Sequence, residues 1–252
     1  MSRFIDKLSQ ASQGGPQAMG FRAGQPVSPQ PKMLLVASLT QVEVDSLADY
    51  VAGADAGVLS IAKLSSGAEG LRKVSQAVPD IPWGGWLRGI GGEEMKQMKK
   101  VDCDFVVFPA ADTSLAIPQN NEMGKILEVE ASLSEGLLRT IDELPVDAVL
   151  IAGERKEGYF LTWQHLMLFR RFADAVAKPL LVSVPSGVMA DELQLLWEVG
   201  VNGVMVEAGA GGLKGLRQAI DKLTFPPQGR RRKARALLPY LSAGMEVAAE
   251  EE

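Results

Sequence analysis

The chain has 252 residues, of which 46% are hydrophobic and 23% are charged, an ordinary balance for a globular protein. Its 26 basic and 31 acidic residues give a formal net charge of −5, which argues against nucleic acid as the main partner. The one cysteine excludes a disulfide framework and a cysteine-cluster zinc site, and the one histidine excludes a multi-histidine metal centre.

The first 32 residues predict an N-terminal extension. Apolar residues recur there at helical spacing, at Phe4, Ile5, Leu8 and Ala11, which predicts a short amphipathic helix. A Gly-Gly-Pro sequence then ends it. Two interpretations stay open: a strap across the bottom of a barrel, or a lid that brings Arg22 to a ligand.

From residue 33 to residue 224, short apolar runs alternate with segments of helical periodicity. The runs predict strands at residues 33–38, 57–62, 83–88, 105–108, 126–131, 148–152, 180–184 and 203–206. The segments that follow them predict helices at residues 42–51, 68–78, 93–100, 114–117, 134–141, 162–177, 190–199 and 213–223, the fourth being weak. Parallel neighbours need such crossovers, and eight units predict a single closed (β/α)8 TIM barrel.

A doubly wound open sheet is the competing architecture. It predicts a glycine-rich turn after the first strand, where this chain has Ser38-Leu39-Thr40. A barrel of about 250 residues also suits the chain length. We therefore expect a (β/α)8 barrel over residues 33–224.

Residues 225–252 predict a C-terminal tail that is first basic and then acidic. One interpretation is a solvated end with a short docked helix, and the other is an arm that contacts phosphate groups. No aromatic residue is interleaved with the arginines at 230–235, so base stacking has no obvious means. No apolar run reaches the roughly 18 residues of a membrane span, and the N-terminus lacks a secretory h-region. We expect a cytoplasmic protein without a membrane partner.

The strongest functional signal is a glycine-rich sequence after the last two predicted strands. Glycines let backbone amides approach a ligand closely, and amides at a helix N-terminus favour phosphate. Simple turns use glycine too, so an anion site and plain turns both stay open. The predicted phosphate-binding residues are Ser186, Gly187, Gly209, Ala210, Gly211 and Gly212.

Residues 182–212 resemble the phosphate-binding half of the (β/α)8 barrels that include the histidine- and tryptophan-biosynthesis isomerases, thiamine-phosphate synthase and several FMN enzymes. The shared features are a Ser/Gly turn, an acid a few residues later, a Gly-x-x-Gly-Val step and a closing glycine-rich turn. The resemblance implies a small phosphorylated ligand and leaves FMN open as a cofactor. The chain departs from the family at Glu207, whose carboxylate would repel phosphate unless it is paired, and which favours an amine or a metal-bound anion instead.

Charged residues at the predicted strand ends are candidates for catalysis. Lys63 and Arg88 end the second and third strands, while Glu128 and Glu130 share one face of the fifth. Because the outer face packs on helices, we expect both glutamates to point into the barrel and to pair with Lys63 or Arg88. A buried glutamate with a raised pKa could be a general base, and Lys63 a Schiff-base nucleophile. With Glu207, these are the candidate catalytic residues.

The bland alternative is an ion-pair network without chemistry. Mg²⁺ is disfavoured because so few ligands are evident, and we predict no metal site. Asp112, in the long loop after the fourth strand, is a candidate lid or specificity residue. His165 is expected to be structural, Cys103 to be a small filler, and the Gly-Gly between Trp83 and Trp86 to serve packing or to accommodate a flat ring.

Three functions stay open. The first is an isomerase, lyase or synthase that acts on a small phosphorylated metabolite. The second is an FMN-dependent oxidoreductase, and the third is a non-catalytic barrel used for binding or assembly. A homo-oligomer is compatible with each, and the substrate and reaction are not readable from the residues.

Overall fold

A computed structural model describes residues 2–12, 32–40, 46–62, 64–88, 92–115, 123–153, 159–209 and 212–224. Eight parallel strands follow one another in chain order and close into a barrel in which the first strand pairs with the eighth. The strands are β1 (Leu34–Leu39), β2 (Ala56–Ile61), β3 (Trp83–Leu87), β4 (Phe105–Pro109), β5 (Gly124–Val129), β6 (Ala148–Ile151), β7 (Leu180–Val184) and β8 (Gly203–Glu207). The (β/α)8 barrel is confirmed, and the open doubly wound sheet is excluded.

The helices pack outside the strands, apart from the first. They are α1 (Arg3–Ser12), α2 (Leu47–Tyr50), α3 (Leu64–Ala77), α4 (Gly92–Lys100), α5 (Glu135–Thr140), α6 (Trp163–Ala175), α7 (Ala190–Glu198) and α8 (Lys214–Asp221), with a 3-10 turn at Ile141–Glu143. None of the helices in the described ranges is long and apolar enough to cross a membrane.

Every strand begins within two residues of its predicted start, whereas three helices differ. The helix predicted at 42–51 is described only as α2, and residues 42–45 lie outside the described ranges. The helix predicted at 114–117 is not helical at 114–115, and its remainder also lies outside them. Helix α3 starts four residues before its prediction. Gly67, a poor helix former, obscured that start, and it stays small because a Cβ there would lie 2.2 Å from Ile61 Cγ2.

Alternation along each strand divides the core in two. One set of side chains fills the barrel and the other packs against the helices, as the two-residue period requires. The strand residues of the interior set are Leu34, Val36, Ala56, Val58, Trp86, Phe105, Val107, Ile126, Ala148, Leu150, Leu181 and Met205. This parity also shows which side of the strand every neighbouring polar residue faces.

Helix α1 closes the N-terminal end of the barrel. Phe4 is 0% exposed, and its ring centroid lies 4.6 Å from that of Phe105 at the start of β4. The Asp104 carboxylate accepts hydrogen bonds from the Ser2 hydroxyl and from two α1 amides, at 2.7 to 3.0 Å. The described part of the extension is therefore a strap at the bottom, while Arg22, the residue of the lid hypothesis, lies outside the described ranges.

The tryptophan-flanked glycines serve packing. A Cβ on Gly84 would lie 2.4 Å from the Phe105 ring, so the glycine makes room for that ring inside the barrel. Cys103 is the expected filler: its buried thiol donates to the Phe105 carbonyl at 3.0 Å, and burial raises the pKa of the thiol to about 12. Neither residue faces a ligand, and both belong to the structural end of the barrel.

Candidate functional site

The carboxyl ends of the strands form the open mouth, because α1 occupies the opposite end. Active sites of (β/α)8 barrels lie at this mouth, in the loops that follow the strands. The residues to consider are therefore the last inward-facing positions of each strand and the turns directly after them.

A hydrogen-bonded pair of side chains, from Trp86 on β3 and Glu128 on β5, lies inside the mouth. The indole Nε1 donates to the Glu128 Oε2 at 2.6 Å, and Trp86 is only 7% exposed. Because an indole N–H can only donate, it orients the carboxylate as an acceptor. Glu128 itself is half-buried, so it is held in place and still open to a ligand.

The expected partners of the two β5 glutamates require a correction. Glu128 takes the hydrogen bond of an indole, and no ion pair joins Arg88 to either glutamate in the part of the chain that is described. Glu130 is exposed, and the Ser132 hydroxyl donates to it at 3.0 Å. The reason is that β5 ends at residue 129, so Glu130 lies beyond the strand. Arg88 is exposed just past β3, and Lys63 lies outside the described ranges.

Inward-facing polar residues follow one wall of the mouth, which we call the polar wall. They come from the consecutive strands β7, β8, β1 and β2, and they are Ser183, Glu207, Ser38 and Ser60. Ser38 follows Leu34 and Val36 on the inner face of β1, and it is in register with Glu207. Glu207, the last residue of β8, is exposed. The carboxylate that departs from the family pattern therefore lies at the mouth.

The turn after β7 presents open backbone. The Val188 amide donates to the Pro185 carbonyl at 3.1 Å, which leaves Ser186 and Gly187 exposed at the tip. A Cβ on Gly187 would meet nothing within 4 Å. The geometry is that of a turn whose amides a ligand can reach.

The turn after β8 is also glycine-rich. Gly209 is exposed with open space around it, and Gly212 has a φ of +61°, which favours glycine. The Gly212 amide donates to the Gly209 carbonyl at 2.9 Å. Ala210 and Gly211, the other two predicted phosphate-binding residues, lie outside the described ranges.

The two helices that follow these turns differ at their N-termini. The Glu192 carboxylate accepts a hydrogen bond from the Met189 amide at 2.8 Å, so a side chain of the chain itself already caps α7. At α8 the N-cap position is Leu213, and no side chain caps it. Unsatisfied amides and the helix dipole favour an anion there, beside the exposed Lys214 in the first turn.

Two other predicted residues have clear positions. Asp112 is exposed in the loop after β4, as a rim residue would be. His165 is structural: its backbone amide donates to the Thr162 hydroxyl, and its Nδ1 accepts from the Thr162 amide at 3.1 Å, so it caps α6. Among the described residues, no three His, Cys, Asp or Glu side chains are grouped to hold a metal ion.

Sequence reasoning missed the pairing of Trp86 with Glu128 and the three serines of the polar wall. A signal for the serines was available. Ser38 lies two and four residues after apolar positions of the same strand, so strict alternation places it on the same face. The Trp86 pairing had no comparable signal, because it joins two strands that are not neighbours.

No family model and no curated protein matches the chain. Solved structures with a similar fold include KGPDC from Streptococcus mutans in complex with a phosphorylated sugar, with 15% identity, a TM-score of 0.62, and coverage of 77% of this chain and 99% of that one. The 3-keto-L-gulonate-6-phosphate decarboxylase from Vibrio cholerae has 15% identity, a TM-score of 0.59 and the same coverage. The YdjI aldolase from Escherichia coli has 10% identity, a TM-score of 0.52, and coverage of 82% and 81%. At these identities the likeness shows the fold, a (β/α)8 barrel.

Proposed function

We propose that this protein is an enzyme that acts on a small phosphorylated metabolite at the mouth of its barrel. The observation that carries the proposal is the Trp86–Glu128 pair. It presents a fixed, half-buried carboxylate at the same end of the barrel as two open glycine turns. A reactive carboxylate and an anion-binding loop at one mouth suit a phosphorylated substrate.

The phosphate is held by the turns after β7 and β8. The amides of Gly187 and Gly209 face open space, Ser186 adds a hydroxyl, and the uncapped start of α8 adds its dipole. Lys214 contributes positive charge nearby. The sequence-based assignments of Ala210 and Gly211 to this site stay predictions.

Glu128 serves as the general base or acid, because it is the carboxylate held inside the mouth. Arg88, at the end of β3, supplies electrostatic stabilisation, and Asp112 and Glu130 line the rim. An isomerase, lyase or synthase reaction fits these groups, since each needs proton transfer beside a bound phosphate. Lys63 as a nucleophile stays a prediction.

The comparisons support the substrate class indirectly. One similar structure holds a phosphorylated sugar, and another is named for a 6-phosphate substrate. Both share this fold at 15% identity, so they show that the architecture accommodates such ligands, while the residues of this chain carry the proposal.

The experiment is thermal unfolding of the purified chain against inorganic phosphate, a panel of sugar phosphates, and FMN. A ligand at 100 times its Kd adds about 2.7 kcal/mol, which raises the melting temperature by roughly 5–10 °C for a chain of this size. We expect Gly187→Asp to abolish the shift, since it places a negative charge in the open turn. A shift with FMN alone would favour the oxidoreductase.

Gly136→Asp is the matched control, because Gly136 is also exposed with nothing within 4 Å of a built Cβ. It lies on α5, away from both turns, and should leave the shift unchanged. No shift with any compound, or an equal loss in both variants, would contradict the proposed phosphate site.

A second function, assembly, is favoured by an exposed apolar surface on α6. Trp163 and Met167 are four residues apart on one helix face and are 75% and 73% exposed, and Phe160 before the helix is 69% exposed. At this exposure the two aromatic rings alone present about 200–350 Å², within the range of patches that are often functional. Arg170 and Asp174, an ion pair at 2.7 Å, continue the same face.

The balanced charges favour a second copy of this chain as the occupant. In a two-fold interface, the arginine of each subunit meets the aspartate of the other around an apolar centre. We expect sedimentation velocity to show a dimer that Trp163→Glu converts to a monomer, while Gln164→Glu, at the next exposed position, leaves it intact. A wild-type chain that stays monomeric at high concentration would exclude this assembly.

A further inference from the structure

Glu207 places a negative charge beside the proposed phosphate site. It ends β8, and the turn of Gly209 begins two residues later, a span of at most about 7 Å. Within the described ranges Glu207 forms no ion pair. A carboxylate this close to a phosphate is unfavourable unless a positive charge lies between them.

Ser38 is a second, independent feature of the same place. It is 7% exposed, it points into the barrel by the parity of β1, and it is in register with Glu207. Its carbonyl accepts the Ala208 amide at 2.9 Å, which fixes the backbone of β1 against the start of the β8 turn. No described residue forms a hydrogen bond with its hydroxyl. A buried hydroxyl of this kind calls for a partner.

We propose that Glu207 and Ser38 form a binding subsite for a cationic amino group, so that the substrate is a phosphorylated amine. The inference rests on the proposed function, because the amine is placed relative to the phosphate turns. The ammonium donates to the Glu207 carboxylate and to the Ser38 oxygen, and its charge offsets the repulsion between Glu207 and the phosphate.

The geometry also limits the distance between the two ligand groups. Since only two residues separate Glu207 from the turn of Gly209, the amino group lies within a few bonds of the phosphate. A neutral hydroxyl would satisfy Ser38 but would leave the charge of Glu207 unbalanced. The remaining polar wall, Ser183 and Ser60, is free to bind the rest of the molecule, which extends toward Glu128 across the mouth.

The test compares two probes that differ by a single ammonium group, O-phosphoethanolamine and monoethyl phosphate, by isothermal titration. We expect the wild-type chain to bind O-phosphoethanolamine about tenfold more tightly or better. Glu207→Gln should bring the two affinities within about twofold and strengthen the binding of inorganic phosphate. Ser38→Ala should weaken O-phosphoethanolamine by about threefold to tenfold.

Glu143→Gln is the control, because it removes one exposed negative charge from the 3-10 turn, away from the polar wall. It should leave the ratio of the two affinities unchanged. Equal wild-type affinity for both probes would overturn the amine subsite and leave the phosphate site standing. Preference for O-phosphoethanolamine that survives Glu207→Gln would overturn it as well. Absence of binding by both probes and by inorganic phosphate would refute the proposed function, and this inference with it.

Discussion

Replacing Phe4 with Ala is expected to lower the free energy of unfolding by about 3–5 kcal/mol, the usual range for a fully buried phenylalanine. The ring is 0% exposed and packs on Phe105, so its removal leaves a cavity at the bottom of the barrel. The α1 helix is also held to Asp104, which restricts its collapse into that cavity. For a chain of this size, the melting temperature should fall by roughly 6–20 °C.

Urea unfolding followed by circular dichroism measures this change, with Gln10→Ala as the control. Gln10 is exposed on the same helix, and alanine is a good helix former, so stability should stay within about 0.5 kcal/mol. A loss of less than about 1 kcal/mol for Phe4→Ala, far below the usual cost of such a cavity, would mean that α1 does not seal the barrel in solution.

Replacing Glu128 with Gln is expected to lower kcat by about 10²–10⁴-fold on the phosphorylated compound that gives the largest thermal shift. Glutamine keeps the shape and can still accept the Trp86 hydrogen bond, so the fold and the KM should change little. The amide cannot take or give the proton. Steady-state kinetics that separate kcat from KM provide the measurement.

Trp86→Phe tests the orienting hydrogen bond separately. Phenylalanine fills most of the same volume but cannot donate to the carboxylate, so kcat should fall by about tenfold, with KM nearly unchanged. Trp86 thus acts as a positioning residue. If Glu128→Gln retains kcat within a factor of about three, the pair is purely structural and the proton transfer must be assigned to another residue.

The strand positions were predictable because a closed barrel buries both faces of each strand, and buried strands appear as continuous apolar runs bounded by turns. β7, for example, has the bounds that its apolar run predicts. Helix starts were less predictable. At α3, propensity disfavours Gly67, but packing against Ile61 needs it, and tertiary contact prevailed over propensity.

The site was predictable only in part. The glycine turns after β7 and β8 were identified because local backbone requirements are encoded locally, as at Gly212 with its positive φ. The partner of Glu128 was not. A carboxylate inside a barrel needs a donor, and we expected a cation, because sequence reasoning weighs charge before geometry. The indole of Trp86 reaches it across the barrel and satisfies the same need without a second charge.

The sequence by itself determined the alternation of strands and helices, the number of units and the glycine turns, since each depends on residues close together in the chain. Only the tertiary structure decided which end of the barrel α1 closes, that Glu130 lies beyond its strand, and that Glu207 stands beside Ser38. These depend on closure of the barrel, which pairs the first strand with the last and brings together residues 169 positions apart. Sequence periodicity shows the direction in which a side chain points, but its contacts across a closed barrel are set by the register between strands.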